Sequence, residues 1–132
     1  MLVAHAAVRA YVHNFLPVSD YSFTNRERLR TASQFQRVFD QAIKSSSETF
    51  TVLSRKNTIG YPRLGIVVAK RNAKRSTDRN LIRRIIRESF RLNKAQLPAN
   101  DFVVILKRPI KKTQPNDIRQ QLTNLYKAAT AR

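Results

Sequence analysis

Two kinds of hydrophobic spacing alternate along this chain, one typical of helices and one typical of strands. The first helical stretch carries its apolar residues on one face: Phe35, Val38, Phe39, Ala42 and Ile43. Ser33, with Gln36 three residues later, has the pattern of a capping box, in which two side chains satisfy the first backbone N–H groups of a helix. These features predict a helix near residues 33–44 that ends at the serine run 45–47.

Three short apolar stretches predict strands over residues 49–53, 63–69 and 101–106. Gly60 and Pro62 lie between the first two and predict a turn over residues 57–62.

Two further helices complete the pattern. Thr77 is placed to cap a helix that runs to about Leu92, and Asp78 in its first turn suits the helix dipole. Pro115 at a first helical turn, with Asp117 behind it, begins the last helix. The order of helix, two strands, helix, strand and helix predicts a single α/β domain over residues 23–132.

Residues 1–22 differ from the rest because they are apolar but interrupted by His5, Arg9 and His13. This pattern fits neither a secretion signal nor a membrane span. We expect a flexible N-terminal extension, with a weak amphipathic helix as the alternative.

Charge narrows the class of partner. The 132 residues include 26 Lys+Arg and 8 Asp+Glu, a formal charge of +18, which favours a polyanion: nucleic acid first, an anionic membrane surface second. A hydrophobic content of 42% is sufficient for a core. The absence of cysteine excludes disulfides, thiol nucleophiles and Cys-ligated zinc.

Positive charge concentrates in residues 70–91, where only Asp78 and Glu88 are acidic. At about 100° per residue, the apolar residues of this helix share one face and its arginines the other. A solvated helix usually mixes the signs of its charges, whereas arginine suits bidentate phosphate contact. The stretch therefore predicts nucleic-acid binding, with these candidate contacts: Lys70, Arg71, Lys74, Arg75, Arg79, Asn80, Arg83, Arg84, Arg87 and Arg91.

Residues for catalysis are not grouped along the sequence. The acids are scattered, both histidines lie before residue 22, and the two glycines form no phosphate-binding loop. Distance along the sequence does not exclude a catalytic site that folding assembles from separate segments. Three aromatic residues, Phe35, Phe39 and Phe50, are either core residues or the lining of a groove where unpaired bases stack.

The sequence RLGIVVAKRNAKRSTDRNLIRRIIRESFR, residues 63–91, resembles the signature of the bacterial ribonuclease P protein subunit. RERLRTASQFQRVF, residues 26–39, is similar to the start of that family, and LPANDFVVILKRP, residues 97–109, to a later strand. The resemblance covers about residues 23–127.

This resemblance implies an α/β (α+β) two-layer sandwich, with a mostly four-stranded sheet and a left-handed βαβ crossover, as in the second domain of ribosomal protein S5. It also implies an accessory subunit of a cytoplasmic endoribonuclease. A catalytic RNA performs the chemistry, removing the 5′ leader of precursor tRNA. Mg²⁺ is bound mainly by that RNA, and the protein has no catalytic residue, metal site or organic cofactor of its own. The implied partners are the catalytic RNA and precursor tRNA, with no membrane and no protein partner.

The resemblance also assigns residues. Contacts to the catalytic RNA are implied for Lys70 and Arg71, the pair Arg79–Asn80, and the later arginines of the helix. The family's third motif residue, a basic one, is Leu81 here. The helical pattern turns Leu81 toward the packed side, so we expect one weakened contact. A cleft for the leader is implied at Phe35, Phe39 and the region of Phe50.

Three other classes remain as alternatives. A ribosomal or RNA-chaperone protein would show the same charge and the same basic helix. A module that binds membrane surfaces fits the amphipathic helix but not the three strand-like stretches. A DNA-binding regulator lacks support from any groove-reading motif.

Overall fold

A computed structural model describes residues 25–110 and 115–130. Within them the helices are α1 (Ala32–Asp40), α2 (Ser76–Asn93) and α3 (Pro115–Thr130). The strands are β1 (Ile43–Ser46), β2 (Phe50–Lys56), β3 (Arg63–Val67) and β4 (Asn100–Leu106), and short 3₁₀ helices cover Asn25–Glu27 and Lys94–Gln96. The predicted N-terminal extension, residues 1–22, lies outside the described residues.

The four strands form one sheet in the order β1-β2-β4-β3. β2 is antiparallel to both of its neighbours, whereas β3 and β4 are parallel. Parallel neighbours need a crossover connection, and α2 provides it. The predicted α/β class and four-stranded sheet are confirmed, while the left-handed crossover stays a prediction.

The main core lies between the sheet and the helices α2 and α3. Alternate residues of β2 and β4 face these helices, so Phe50 and Val52 lie beside Leu106 and Val104 in the strand register. Phe90, Phe102 and Tyr126 meet at its centre in edge-to-face pairs, with ring centroids 5.9–6.1 Å apart. Burying each such ring contributes about 1.5–3 kcal/mol, which fixes α2 on the sheet by its apolar face.

A smaller cluster covers the opposite face of the sheet. Val38 of α1 and Val103 of β4 are fully buried there, and Leu29 joins them. The partly buried residues packed against this cluster include Phe35 and Leu53. The sheet therefore separates the basic helix α2 from α1.

The predicted first helix needs two corrections. Its N-cap is Thr31, whose side chain and that of Gln34 form the capping box, not Ser33 with Gln36. The helix also ends at Asp40, and residues 43–46 form the edge strand β1 instead of a last helical turn. Pairing with β2 explains the second error, since Ile43 lies opposite Ser54 in a register that a helix-like local pattern does not reveal.

The remaining elements agree closely with the predictions, apart from their ends. β2 extends to Lys56 and β3 stops at Val67, while β4 and α3 begin within one residue of the expected positions. α2 starts at Ser76 and has no side-chain cap, so the predicted capping by Thr77 is wrong. Asp78 does lie in the first turn of α2, where it pairs with Arg75.

Candidate nucleic-acid interface

The outer face of α2 is a row of basic side chains. Ile82, Ile85, Ile86 and Phe90 are buried against the core, which turns the arginines outward. The side chains of Arg75 and Arg84 are 79% and 74% exposed, and Lys70, Arg71, Lys74 and Asn80 are exposed as well. The other four predicted contacts are partly buried: Arg79, Arg83, Arg87 and Arg91. We call these ten residues the basic face.

Hydrogen bonds join the loop before α2 to the helix itself. Arg79 Nη1 donates to the carbonyl oxygens of Ala73 and Lys74 at 3.0 and 2.9 Å. Asn72 Nδ2 donates to Leu106 O at 2.9 Å, which ties the loop to the end of β4. Because of these bonds, Lys70, Arg71 and Lys74 belong to the same surface as the helix arginines.

Acidic groups neutralise little of this charge. Asp78 pairs with Arg75 at 3.0 Å, and Glu88 lies 3.9 Å from Arg84 and 3.5 Å from Arg119. Solvent-exposed pairs of this kind contribute about 0–1 kcal/mol. The basic face therefore keeps a strong positive potential, as an interface for phosphates requires.

One residue that the sequence analysis missed extends the basic face toward the sheet edge. A groove of about 150 Å³ is lined by Arg28, Leu29, Phe35, Leu64, Ile66, Arg83 and Arg87. Burial, followed by repulsion from Arg28 and Arg83, lowers the pKa of the Arg87 guanidinium below its ordinary value. No local pattern singles out Arg28, since it lies 55 residues before Arg83 in the chain.

The aromatic residues of α1 form a second surface. Phe39 is 44% exposed, Phe35 is partly buried, and their ring centroids are 6.3 Å apart. A Cβ atom on Gly65 of β3 would lie 2.5 Å from Phe35 Cε1, so the absence of a side chain there allows the ring to pack against the strand. Leu53 is packed on this same side of the sheet. We call the surface formed by the rings of Phe35 and Phe39, together with the aliphatic side chain of Leu53, the aromatic surface.

Two residues occupy other positions than predicted. Phe50 is fully buried in the main core, on the face of the sheet that α2 and α3 cover, so it cannot line a cleft together with Phe35 and Phe39. Leu81 is 53% exposed instead of packed. It borders a shallow groove of about 200 Å³ with Ile85, Ile110 and Ile118, near the start of α2.

A buried carboxylate supports the side of the sheet that carries α1. Asp101 is 1% exposed and accepts hydrogen bonds from Arg63 Nε and Nη2 at 2.9 and 2.8 Å, and from Asn57 Nδ2 at 2.9 Å. Its Oδ2 also lies 3.8 Å from Arg37 Nη1. The hydrogen bond to Asp101 raises the pKa of Arg63 above its ordinary value. This network was not predicted, because its members come from four separate segments.

Residues 25–110 and 115–130 contain no group of three or more His, Cys, Asp or Glu residues that could hold a metal ion. None of their helices combines the length and the apolar character that a membrane crossing needs.

The family model described as Ribonuclease P matches residues 23–130. This chain belongs to the ribonuclease P protein family. It is 44% identical over 105 residues to the ribonuclease P protein component of Haemophilus influenzae (strain PittGG), covering 80% of this chain and 88% of that relative. The component from Edwardsiella ictaluri is 42% identical over 106 residues, covering 80% and 89%.

Solved structures of the ribonuclease P family share the fold. The Thermotoga maritima RNase P protein superposes with a TM-score of 0.67 at 39% identity, covering 77% of this chain and 96% of that one. A Staphylococcus aureus RNase P protein gives a TM-score of 0.73 at 32% identity, covering 78% and 94%. These likenesses confirm the family that residues 63–91 indicated.

Proposed function

We propose that this chain is the protein subunit of ribonuclease P and works in the cytoplasm as part of a ribonucleoprotein. It binds the catalytic RNA and the 5′ leader of precursor tRNA, and so assists the magnesium-dependent, endonucleolytic removal of the leader. The RNA subunit carries out the hydrolysis. The observation that carries the proposal is the basic face on α2, with the aromatic surface on the opposite side of the same sheet, in a chain of this family.

Electrostatics supports a partner rich in phosphates. The basic face has nine cationic side chains: Lys70, Arg71, Lys74, Arg75, Arg79, Arg83, Arg84, Arg87 and Arg91. Within residues 70–91 its acids are Asp78 and Glu88, both in partly exposed pairs. Like charges at this density destabilise an isolated protein, and binding a polyanion offsets that cost.

Magnesium belongs to the RNA in this proposal. The described residues contain no group of three or more His, Cys, Asp or Glu residues that could hold a metal ion, and the proposed role needs no metal ion bound by the protein. The contribution of the protein is then to neutralise phosphates, which lowers the repulsion between catalytic RNA and substrate. Removal of the leader should therefore need less magnesium when the protein is present.

The aromatic surface suits the unpaired leader. Stacking of a base on an aromatic ring contributes about 1–3 kcal/mol and tolerates any base. Phe39 has the exposure that stacking needs, and Phe35 lies beside it. Stacking of this kind favours leader binding with a weak sequence preference. Binding should also depend strongly on salt, because each phosphate neutralised on a single strand changes the slope of log K against log[salt] by about −0.7.

Cleavage of precursor tRNA by the catalytic RNA at low magnesium, with and without the protein, tests the proposal. We expect the protein to restore cleavage, and Arg84→Ala combined with Arg87→Ala to weaken assembly with the RNA. Lys127→Ala, an exposed cation on α3, is the control for a simple loss of charge.

The same experiment distinguishes the proposed function from the main alternative. A ribosomal or RNA-chaperone protein would bind RNA without restoring release of the leader. That outcome would reject the proposed function and leave RNA binding as the remaining role.

A further inference from the structure

Residues 25–30, which we call the edge segment, lie along the outer edge of β3. Leu29 N–H donates to Leu64 O at 2.9 Å, and Arg28 forms a parallel bridge with Leu64. Two other contacts fix the segment. Lys94 Nζ lies 2.6 Å from Glu27 Oε2 in a nearly buried pair, and the guanidinium of Arg26 lies 4.8 Å from the centre of the Tyr61 ring. The backbone at Arg28 is therefore held in place.

The fixed position of Arg28 brings its side chain to the arginines of α2. Arg28, Arg83 and Arg87 line one groove of about 150 Å³, and its other lining residues are apolar: Leu29, Phe35, Leu64 and Ile66. No carboxylate is among these lining residues. Three arginine side chains thus line one small, partly apolar space. Beside it, Lys94 Nζ donates to Glu27 Oε2 at 2.6 Å.

This arrangement costs the protein free energy. Arg28 is an exposed residue, and partial burial, with repulsion from Arg30 as a second cause, lowers the pKa of its guanidinium. Burial also lowers that of Arg87, and repulsion from Arg28 and Arg83 adds to it. Arg28 and Arg87 remain protonated at neutral pH, because a lowered arginine pKa is still far above 7. An anion in the groove would offset the repulsion, and guanidiniums bind phosphate oxygens in bidentate pairs.

The location of the groove indicates which anion. It lies between the basic face of α2 and the aromatic surface, and Phe35 belongs both to that surface and to the lining of the groove. A phosphate bound here would have an aromatic ring beside it for the adjoining base. This combination fits a polynucleotide better than a free anion.

We propose that Arg28, together with Arg83 and Arg87, forms a pocket for a backbone phosphate of RNA at the junction of the basic face and the aromatic surface. The inference rests on the proposed function, and it adds Arg28 as a contact and the edge segment as the element that positions it. We call this site the arginine pocket.

Arg28→Ala tests the arginine pocket, with Arg30→Ala as the matched control. Arg30 lies on the same edge segment and is exposed, but it does not line the groove. Both variants lose one charge, so only a specific contact distinguishes them. Arg28→Gln, which keeps most of the aliphatic stem, replaces Arg28→Ala if the melting curve shows that the alanine variant is unfolded.

Two binding measurements identify the source of the phosphate. The first is the affinity of the protein for the catalytic RNA alone. The second is the affinity of the assembled enzyme for precursor tRNA with a long leader and for a leaderless counterpart. Each is measured over a range of monovalent salt.

We expect Arg28→Ala to reduce the steepness of the log K against log[salt] slope by about 0.7, which corresponds to about fourfold weaker binding at 0.15 M salt. A loss confined to the catalytic RNA assigns the phosphate to that subunit, and a loss confined to the leader-containing substrate assigns it to the leader. Either result supports the pocket, provided that Arg30→Ala changes the slope by clearly less.

Equal effects of the two variants, or no effect of Arg28→Ala on any of these RNAs, would overturn the arginine pocket and leave the proposed function intact. Failure of the unaltered protein to restore cleavage would instead reject the proposed function. In that case the slopes measured on a single-stranded RNA oligonucleotide would still decide whether the pocket exists.

Discussion

Asp101→Asn should lower the free energy of unfolding more than the loss of an exposed carboxylate does. The substitution keeps the size of the side chain but removes the charge that pairs with Arg63 inside the protein, where Asp101 is 1% exposed and the Arg63 side chain 14%. Breaking a buried ion pair on one side costs about 3–5 kcal/mol, since the remaining charge stays buried without its counterpart. A domain of this size has a total stability of about 5–15 kcal/mol, so a large fraction would be lost.

Urea denaturation followed by far-UV circular dichroism measures this effect. Urea is preferable to guanidinium chloride because it is uncharged and does not screen the ion pairs. We expect a lower midpoint with an unchanged slope of free energy against denaturant. Asp78→Asn is the matched control: it raises the net charge equally, but its pair with Arg75 is exposed and should contribute less than about 1 kcal/mol.

A loss of less than about 1 kcal/mol in Asp101→Asn would refute the reasoning, because the buried pair would then behave like an exposed one. A second variant tests the cause. Replacing both partners with apolar residues of similar size, Asp101→Leu with Arg63→Met, should recover part of the lost stability, as it leaves no unpaired charge in the interior.

Three further predictions concern the basic face and the aromatic surface. Gly65→Val should displace the Phe35 ring and cost about 1–3 kcal/mol in urea denaturation, because the new Cβ would lie 2.5 Å from Phe35 Cε1. Leu81→Arg should steepen the salt slope for binding the catalytic RNA by about 0.7, measured by fluorescence anisotropy. Phe39→Ser should lower the affinity for the leader by about 1–3 kcal/mol with little change in melting temperature, and leaderless tRNA should bind as before.

The elements that were predicted well are those whose pattern is set by a single buried face. Phe102, Val104 and Leu106 of β4 all face the main core, and the apolar face of α2 packs against it. Local sequence shows such faces directly. β1 was missed because it is a short edge strand with alternate exposed residues, and its serines carry no apolar pattern. Its conformation comes from pairing with β2, which is a contact between segments.

The candidate site divides in the same way. Candidate contacts placed on one helix, such as Arg84 and Arg87, follow from the helical pattern alone. Arg28 and Asp101 do not, because their partners are brought together by the sheet. Leu81 shows the limit of a helical wheel, which gives the direction of a side chain but not whether a neighbour is present to cover it. Near the start of α2 the neighbours leave Leu81 half uncovered.

β3 connects the basic face and the aromatic surface at one edge of the sheet. β3 is the last strand of the sheet, so only one of its edges pairs with a strand, β4. The edge segment forms a bridge to its other edge through Arg28 and Leu64. Leu64 faces the core under α2, whereas the next residue, Gly65, receives Phe35 on the opposite face. Because successive residues of a strand point to opposite sides, a single strand supports both surfaces. An RNA chain that binds to both surfaces would pass this edge and contact Arg28. Replacing Arg28 should therefore weaken the binding of one RNA chain to both surfaces.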